Sequence, residues 1–159
     1  MSGYEAFSEF YDALTENVGY QARAAYICGL LKERGVDGGL LLDLACGTGS
    51  LSVELSRLGF DVIGVDASAA MLCEAQNKAY ENGAAILFLC QRMQALDLYG
   101  TVKAAVCTLD SINHLTSEDD VRETFRRVSL FLEPGGAFVF DVNTVFKHRN
   151  ILADNVFVY

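Results

Sequence analysis

Asp43-Leu44-Ala45-Cys46-Gly47-Thr48-Gly49-Ser50 is the stretch on which the reading of the fold turns. Before it stands Leu40-Leu41-Leu42, a short apolar run of the kind that forms a strand covered on both faces. After it come Leu51, Leu55 and Leu58 at helical spacing. Two glycines at a strand-to-helix turn let the backbone approach a ligand closely, with the N–H groups of the helix start pointing at it. A G-x-G by itself is weak. About twenty residues on, however, Asp66 closes a second strand pattern over residues 61–65, where an acidic side chain can take both hydroxyls of a ribose. Loop and carboxylate together argue for a ligand that contains a nucleoside.

The same alternation continues outward. Ser68 is placed as the N-cap of a helix carrying Met71, Leu72, Ala75 and Ala79, closed by Asn82-Gly83. Residues 86–90 form a third strand pattern and 103–107 a fourth. Ser117 and Asp120 suggest a capping box opening a helix with Val121, Phe125, Val128 and Leu132 inward. Pro134-Gly135-Gly136 then breaks that helix before a fifth strand over 137–142. Upstream, Phe7, Phe10, Tyr11 and Leu14 predict one helix. A second runs from about 20 to 34, with Ala24, Ile27 and Leu31 on one face and Gly35 as its stop. Apolar strands alternating with helices predict a doubly wound, mainly parallel α/β sheet with right-handed crossovers. In such a sheet ligands sit beyond the carboxyl ends of the strands. The expected organisation is one domain over 1–159: helices in 1–36, the α/β core in 37–142 and the start of an extension in 143–159.

Composition fits that expectation. The 159 residues are 52% hydrophobic and 21% charged, with one proline, which excludes a disordered or low-complexity chain. The net charge of −9 disfavours nucleic acid as a partner. No long uncharged apolar stretch writes a membrane span, and Met1-Ser2-Gly3-Tyr4-Glu5 is no secretory signal, so a cytoplasmic protein is expected. Cys28, Cys46, Cys73, Cys90 and Cys107 are spread without a C-x-x-C pair and read as reduced, mostly core thiols. With His114 and His148 far from any cysteine pair, no metal site is expected.

Charge narrows the ligand. A dinucleotide fingerprint needs a third glycine, and Ser52 stands at that position. Asp43, just before the loop, would face a pyrophosphate at a cost of roughly several kcal/mol in a poorly solvated site. A nucleotide-dependent oxidoreductase is therefore disfavoured. S-adenosylmethionine removes the conflict, because it carries a sulfonium, an ammonium and one carboxylate that helix N–H groups can take.

DLACGTGS, VIGVDASAAML, LDSINHL and LEPGGAFVFDV resemble, in order, the motifs of the class I S-adenosylmethionine-dependent methyltransferases. The resemblance runs from about Tyr4 to about Val142 and implies a Rossmann-like methyltransferase fold. It implies that Asp43 orients the loop and the cofactor ammonium, and that Ala45, Cys46, Gly47 and Gly49 lie against the methionine moiety. Asp66 would bind the ribose, while Ala67 and Met71 pack on the adenine. Tyr11 resembles a tyrosine that comes over the cofactor in related small-molecule enzymes. After the third strand the family usually has an aspartate that accepts from the adenine amino group; this chain has Gln91-Arg92-Met93, with Arg92 at that place. A guanidinium has no acceptor, so either Arg92 stacks on the ring or Gln91 supplies the acceptor, with the Met93 backbone beside it. Leu109 falls near the transferred methyl, and Asp110 and His114 are candidate general bases for an in-line displacement.

Other readings remain beside these. Cys46 at a helix start invites a nucleophile, since a thiol pKa falls there, but no histidine is near it in sequence. Arg122, Arg126 and Arg127 beside Glu118, Asp119, Asp120 and Glu123 read as a solvated, salt-bridged face. Met71 is equally placed to be core. By the resemblance the sheet is two strands short at Tyr159, with 155–159 beginning another strand. That leaves an apolar edge that a second copy of the chain can pair. The expected function is methyl transfer to a small-molecule acceptor. The alternatives are a non-catalytic module that binds S-adenosylmethionine or a protein, and a methyltransferase acting on nucleic acid or protein.

Overall fold

The computed structural model describes residues 18–153; the expected first helix with Tyr11, and the expected strand at 155–159, lie outside them. Helix α1 (Tyr20–Glu33) buries Ala24, Ile27, Cys28 and Leu31, the expected stripe. It ends where Gly35 takes φ +78 and its N–H reaches the Lys32 carbonyl while that of Val36 reaches Leu31, a closure that favours glycine. Strand and helix then alternate: β1 (Gly39–Leu44), α2 (Ser50–Arg57), β2 (Phe60–Asp66), α3 (Ala69–Glu81), β3 (Leu87–Cys90), β4 (Val102–Cys107), α4 (Glu118–Phe131) and β5 (Leu132–Phe140). Single 3-10 turns follow β3 (Met93–Ala95) and β4 (Ser111–His114), and a π-helical turn (Lys147–Leu152) comes last.

The five strands lie in the order β3-β2-β1-β4-β5, and every pairing is parallel. The chain moves one way from β1 to β2 and β3, then returns to the other side of β1 for β4 and β5. The reversal opens a crevice between the loops after β1 and β4. Side-chain alternation gives each face its own core. Leu41, Val62 and Ala104 pack with Ile27, Leu31, Leu51 and Leu55 from α1 and α2. Leu42, Leu44, Val65, Ala105 and Cys107 pack with Leu96, Val128 and Phe131 on the other face. Asp43 falls between Leu42 and Leu44 and shares the α2 side.

Several local expectations are corrected. Ser117 is the N-cap of α4, but its side chain makes no cap hydrogen bond. Glu118, Asp119 and Asp120 in the first turn complement the helix dipole instead. Thr124, Val128 and Phe131 are the buried positions of α4, and Leu132 already belongs to β5. That strand begins before Pro134-Gly135-Gly136 and ends at Phe140. The triplet sits in a break of register, Val102 pairing Leu132 and Ala104 pairing Ala137. An edge strand tolerates proline at such a bulge. A Cβ at Gly136 would lie 2.9 Å from the carbonyl oxygens of both Glu133 and Lys103. Leu58, at helical spacing with Leu51 and Leu55, lies exposed at the helix end. Cys28 and Cys107 are buried, Cys46 is half-buried, and Cys73 and Cys90 are exposed, so two of the five thiols are not core. Arg122 pairs with Glu118, and Arg126 and Arg127 both pair with Glu123, which holds that carboxyl down at about 2. This is the salt-bridged face anticipated.

Candidate functional site

The loop after β1 is built from backbone that side chains resist. Ala45 takes φ +60, Gly47 +55 and Gly49 +73, all left-handed. The two glycines serve different ends. A Cβ at Gly49 would lie 2.9 Å from Ala75 Cβ and 3.3 Å from Phe88 Cζ, so this glycine lets α3 and β3 close on the loop. A Cβ at Gly47 would meet nothing within 4 Å, so its surface faces open space. Gly64 on β2 is a third close approach: a Cβ there would lie 2.5 Å from the Phe88 ring and 3.1 Å from Cys46 Sγ. Lys78 of α3 donates to Ser50 Oγ at 2.6 Å and Thr48 Oγ1 at 3.1 Å, tying the helix to the loop.

Asp66 ends β2 as anticipated and faces the loop. Its Oδ2 accepts the Gly47 N–H at 2.9 Å and its Oδ1 accepts the Ser68 N–H at 2.8 Å. A carboxylate offers about four lone-pair positions, so each oxygen retains one for a hydroxyl. Ser68 caps α3 by accepting the Met71 N–H at 3.3 Å. Met71 is buried and packs chiefly as core, while Ala67 is exposed at the strand end.

Asp43 is only 2% exposed, and among the described residues its side chain has one hydrogen-bond partner, Ser52 Oγ at 2.5 Å. Burial pushes its carboxyl up to about 6; the Ser52 hydroxyl pulls it down and the Asp66 charge adds to the rise. A buried carboxylate without a cation fits a positively charged ligand, and Asp66 with open lone pairs beside the exposed face of Gly47 fits a ribose. The donor set thus suits S-adenosylmethionine and opposes a pyrophosphate.

Cys46 does not behave as a helix-start thiol. Burial, with Asp43 and Asp66 nearby, pushes it well above the ordinary thiol range, which removes the thiolate a nucleophile needs. Cys107 is raised the same way, by burial first.

After β3 the expected acceptor is already engaged. Gln91 Oε1 accepts the Asp97 N–H at 2.9 Å and its Nε2 donates to the Asp97 carbonyl at 3.0 Å, a two-point clasp on the following turn. Arg92 is exposed at the head of that turn and makes no side-chain cap, and Met93 lies partly in the core with its sulfur 3.9 Å from Cys107 Sγ. The Gln91 oxygen keeps a second lone pair beside that clasp.

The loop after β4 has two consecutive non-glycine residues in the left-handed region, Leu109 at φ +60 and Asp110 at +62. Asp141, the residue after β5, holds both: Oδ2 accepts the Leu109 N–H at 2.9 Å and Oδ1 the Asp110 N–H at 2.8 Å. In the sequence Asp141 falls inside the expected fifth strand, 137–142, with no role of its own; the strand in fact ends at Phe140. Arg23 and Lys147 were missed entirely. Arg23 reaches Asp141 at 3.4 Å, and Lys147 Nζ stands 3.7 Å from Asp110. The signal available was only their place on elements flanking the strand ends.

Two cavities meet at this loop. One, about 30 Å³, lies between the first and fourth loops against Asp43, Cys46, Gly47 and Thr108. The other, about 420 Å³, lies between Arg23, Asp110, Asp141 and Lys147. Leu109 lines both. Asp110 therefore faces the larger cavity, whereas His114 is exposed at the end of its turn and lines neither. Among the described residues no group of three His, Cys, Asp or Glu side chains could hold a metal ion, and no helix is long and apolar enough to cross a membrane.

A family model described as a methyltransferase domain matches residues 41–136. The Bacillus subtilis protein YqeM, whose name assigns methyl transfer but no acceptor, is 39% identical over 155 residues, 97% of this chain and 61% of that protein. A glycine/sarcosine N-methyltransferase from Halorhodospira halochloris is 37% identical over 117 residues, 70% of this chain and 41% of that protein. Among solved structures, an S-adenosylmethionine-dependent methyltransferase from Clostridium acetobutylicum superposes with a TM-score of 0.86 at 34% identity, covering 98% of this chain and 64% of that one. The chain spans less than two thirds of the length of these relatives.

Proposed function

This chain belongs to the class I S-adenosylmethionine-dependent methyltransferase family, and we propose that it transfers a methyl group from S-adenosylmethionine to a small-molecule acceptor in the cytoplasm. The observation that carries the reading is the pairing of a buried Asp43, which has no cation partner among the described residues, with an Asp66 whose carboxylate keeps lone pairs beside Gly47. The cofactor, when bound, supplies a methyl group on a positively charged sulfur, already an excellent leaving group. Asp43 attracts the cationic end; Ala45, Cys46, Gly47 and Gly49 present backbone to it; Asp66 takes the ribose hydroxyls. Ala67, Met71, Arg92 and Met93 border the adenine. Leu109 separates the cofactor side from the acceptor side, and Asp110, facing the larger cavity, is better placed than His114 to accept a proton from an acceptor that arrives protonated.

A net charge of −9 and a cavity of about 420 Å³ support a small acceptor over nucleic acid. The acceptors named for relatives, glycine and sarcosine, are likewise small. The test is turnover: the full chain, S-adenosylmethionine and a panel of small amines, acids and alcohols, followed by release of S-adenosylhomocysteine. Acceptor-dependent release supports the reading; binding of S-adenosylmethionine with no release on any acceptor contradicts it and favours a non-catalytic module.

A further inference from the structure

Ser52 occupies the position at which a dinucleotide fingerprint has its third glycine, where the lack of a side chain lets helix and strand pack closely. Here a side chain stands in that gap and is used. Ser52 is the third residue of α2 and is 0% exposed. A buried hydroxyl needs a partner, and this one donates across the gap to Asp43 Oδ2 of β1 at 2.5 Å. Asp43 lines the smaller cavity with Gly47 and Thr108, whereas Ser52 lines neither cavity. The hydroxyl therefore holds the carboxylate without itself meeting the ligand space.

The other groups around Asp43 do not favour its charge. Asp66 at the end of β2 repels it, and Cys46 in the loop and Cys107 on β4 are thiols that burial keeps protonated. Tyr20 of α1 lines the same cavity. Arg23 of α1 is paired with Asp141, and Lys78 of α3 donates to Ser50 and Thr48. Among the described residues, Ser52 is thus the one side chain whose hydrogen bond favours the ionised form of Asp43.

We propose that Ser52 is a positioning residue: its hydroxyl fixes one oxygen of Asp43 and keeps that buried carboxylate ionised for the cationic end of S-adenosylmethionine. The inference deepens the cofactor reading and rests on it. Burial already raises the Asp43 carboxyl to about 6. Without the hydroxyl it rises further, by about one pH unit for the loss of one hydrogen bond to a charged group.

The test compares the full wild-type chain with Ser52→Ala through two readouts. Carboxyl-carbon NMR of the cofactor-free protein, with the Asp43 signal assigned from Asp43→Asn, gives the titration midpoint. In Ser52→Ala that midpoint moves up by about one unit. Calorimetry with S-adenosylmethionine then shows a loss of about fivefold at pH 6 and of less than about twofold at pH 8, because the ionised form recovers as pH rises. In an Asp43→Asn background, Ser52→Ala changes affinity by less than about twofold at either pH. An unshifted midpoint overturns the inference and leaves the cofactor reading intact. So does an equal loss at both pH values, the mark of a merely structural serine, or no loss at either. A wild-type chain that binds no S-adenosylmethionine overturns the cofactor reading and this role with it.

Discussion

The carboxylate of Asp141 accepts the backbone N–H of Leu109 at 2.9 Å, 32 positions away in sequence. The same carboxylate holds Asp110, and these two residues are consecutive in the left-handed region, each at a cost of about 1–2 kcal/mol. The loop that separates the two cavities is therefore kept in its shape by the end of β5. Asp141→Ala should lower stability by about 2 kcal/mol, read from the denaturant midpoint, and speed amide exchange at Leu109 and Asp110. Adding Asp110→Gly should return about 1 kcal/mol, because glycine adopts this backbone without strain. No recovery would show that the strain lies elsewhere.

The two glycines of the first loop should separate under substitution. Gly49→Ala forces a Cβ against Ala75 and Phe88 as well as a strained φ, and should cost about 2–4 kcal/mol in stability. Gly47→Ala meets open space, so it should cost about 1 kcal/mol of strain while weakening S-adenosylmethionine binding by more than tenfold. Thermal melts and calorimetry on both variants check the crossover.

Asp43 predicts a pH dependence of definite sign. Its carboxyl sits at about 6, above the ordinary aspartate value of about 3.9, so the fold binds this proton more tightly than the unfolded chain does. Its contribution to stability is full below about pH 4 and is lost as pH rises through 6. A bound cation reverses the preference, because it favours the ionised form. Affinity for S-adenosylmethionine should fall with decreasing pH, approaching tenfold per unit below about 6. Asp43→Asn should bind weakly and flatten that slope. Titrations across pH 5–8 measure it.

Arg92 is exposed and its side chain makes no cap hydrogen bond, so Arg92→Asp should change stability by no more than about 0.5 kcal/mol. It should tighten S-adenosylmethionine severalfold by restoring an acceptor for the adenine amino group. Unchanged or weakened affinity would mean that Arg92 itself serves the ring.

The order of elements was legible because each strand is a short apolar run and each helix carries its stripe at 3–4 spacing. Leu41 and Leu42 could be assigned to opposite faces from alternation alone. The loop at Asp43–Ser50 and its partner Asp66 were legible because their spacing follows from one strand-helix-strand unit. What could not be read depends on contacts between distant segments. Asp141 acts on a loop 32 positions away, and nothing local in Phe140-Asp141-Val142 distinguishes a backbone clamp from an ordinary strand-end carboxylate. Arg23 lies on a helix whose sequence marks only its buried face. The Gln91 clasp on Asp97 was missed for the same reason, and the burial that raises the Cys46 thiol, and so agrees with setting aside a nucleophile there, is not expressed in the loop sequence. At β5, proline and two glycines looked like a break before the strand, but the edge position lets the bulge stand inside it.

The central claim, that the loop after β1 and Asp66 hold S-adenosylmethionine, is tested most directly by calorimetric titration of the full chain and its Asp66→Ala variant with S-adenosylmethionine and NAD. The wild-type chain should bind S-adenosylmethionine and not NAD, and Asp66→Ala should lose at least about tenfold in affinity through two ribose hydrogen bonds to a charged group. Binding of NAD without S-adenosylmethionine, or undiminished affinity in Asp66→Ala, would contradict it.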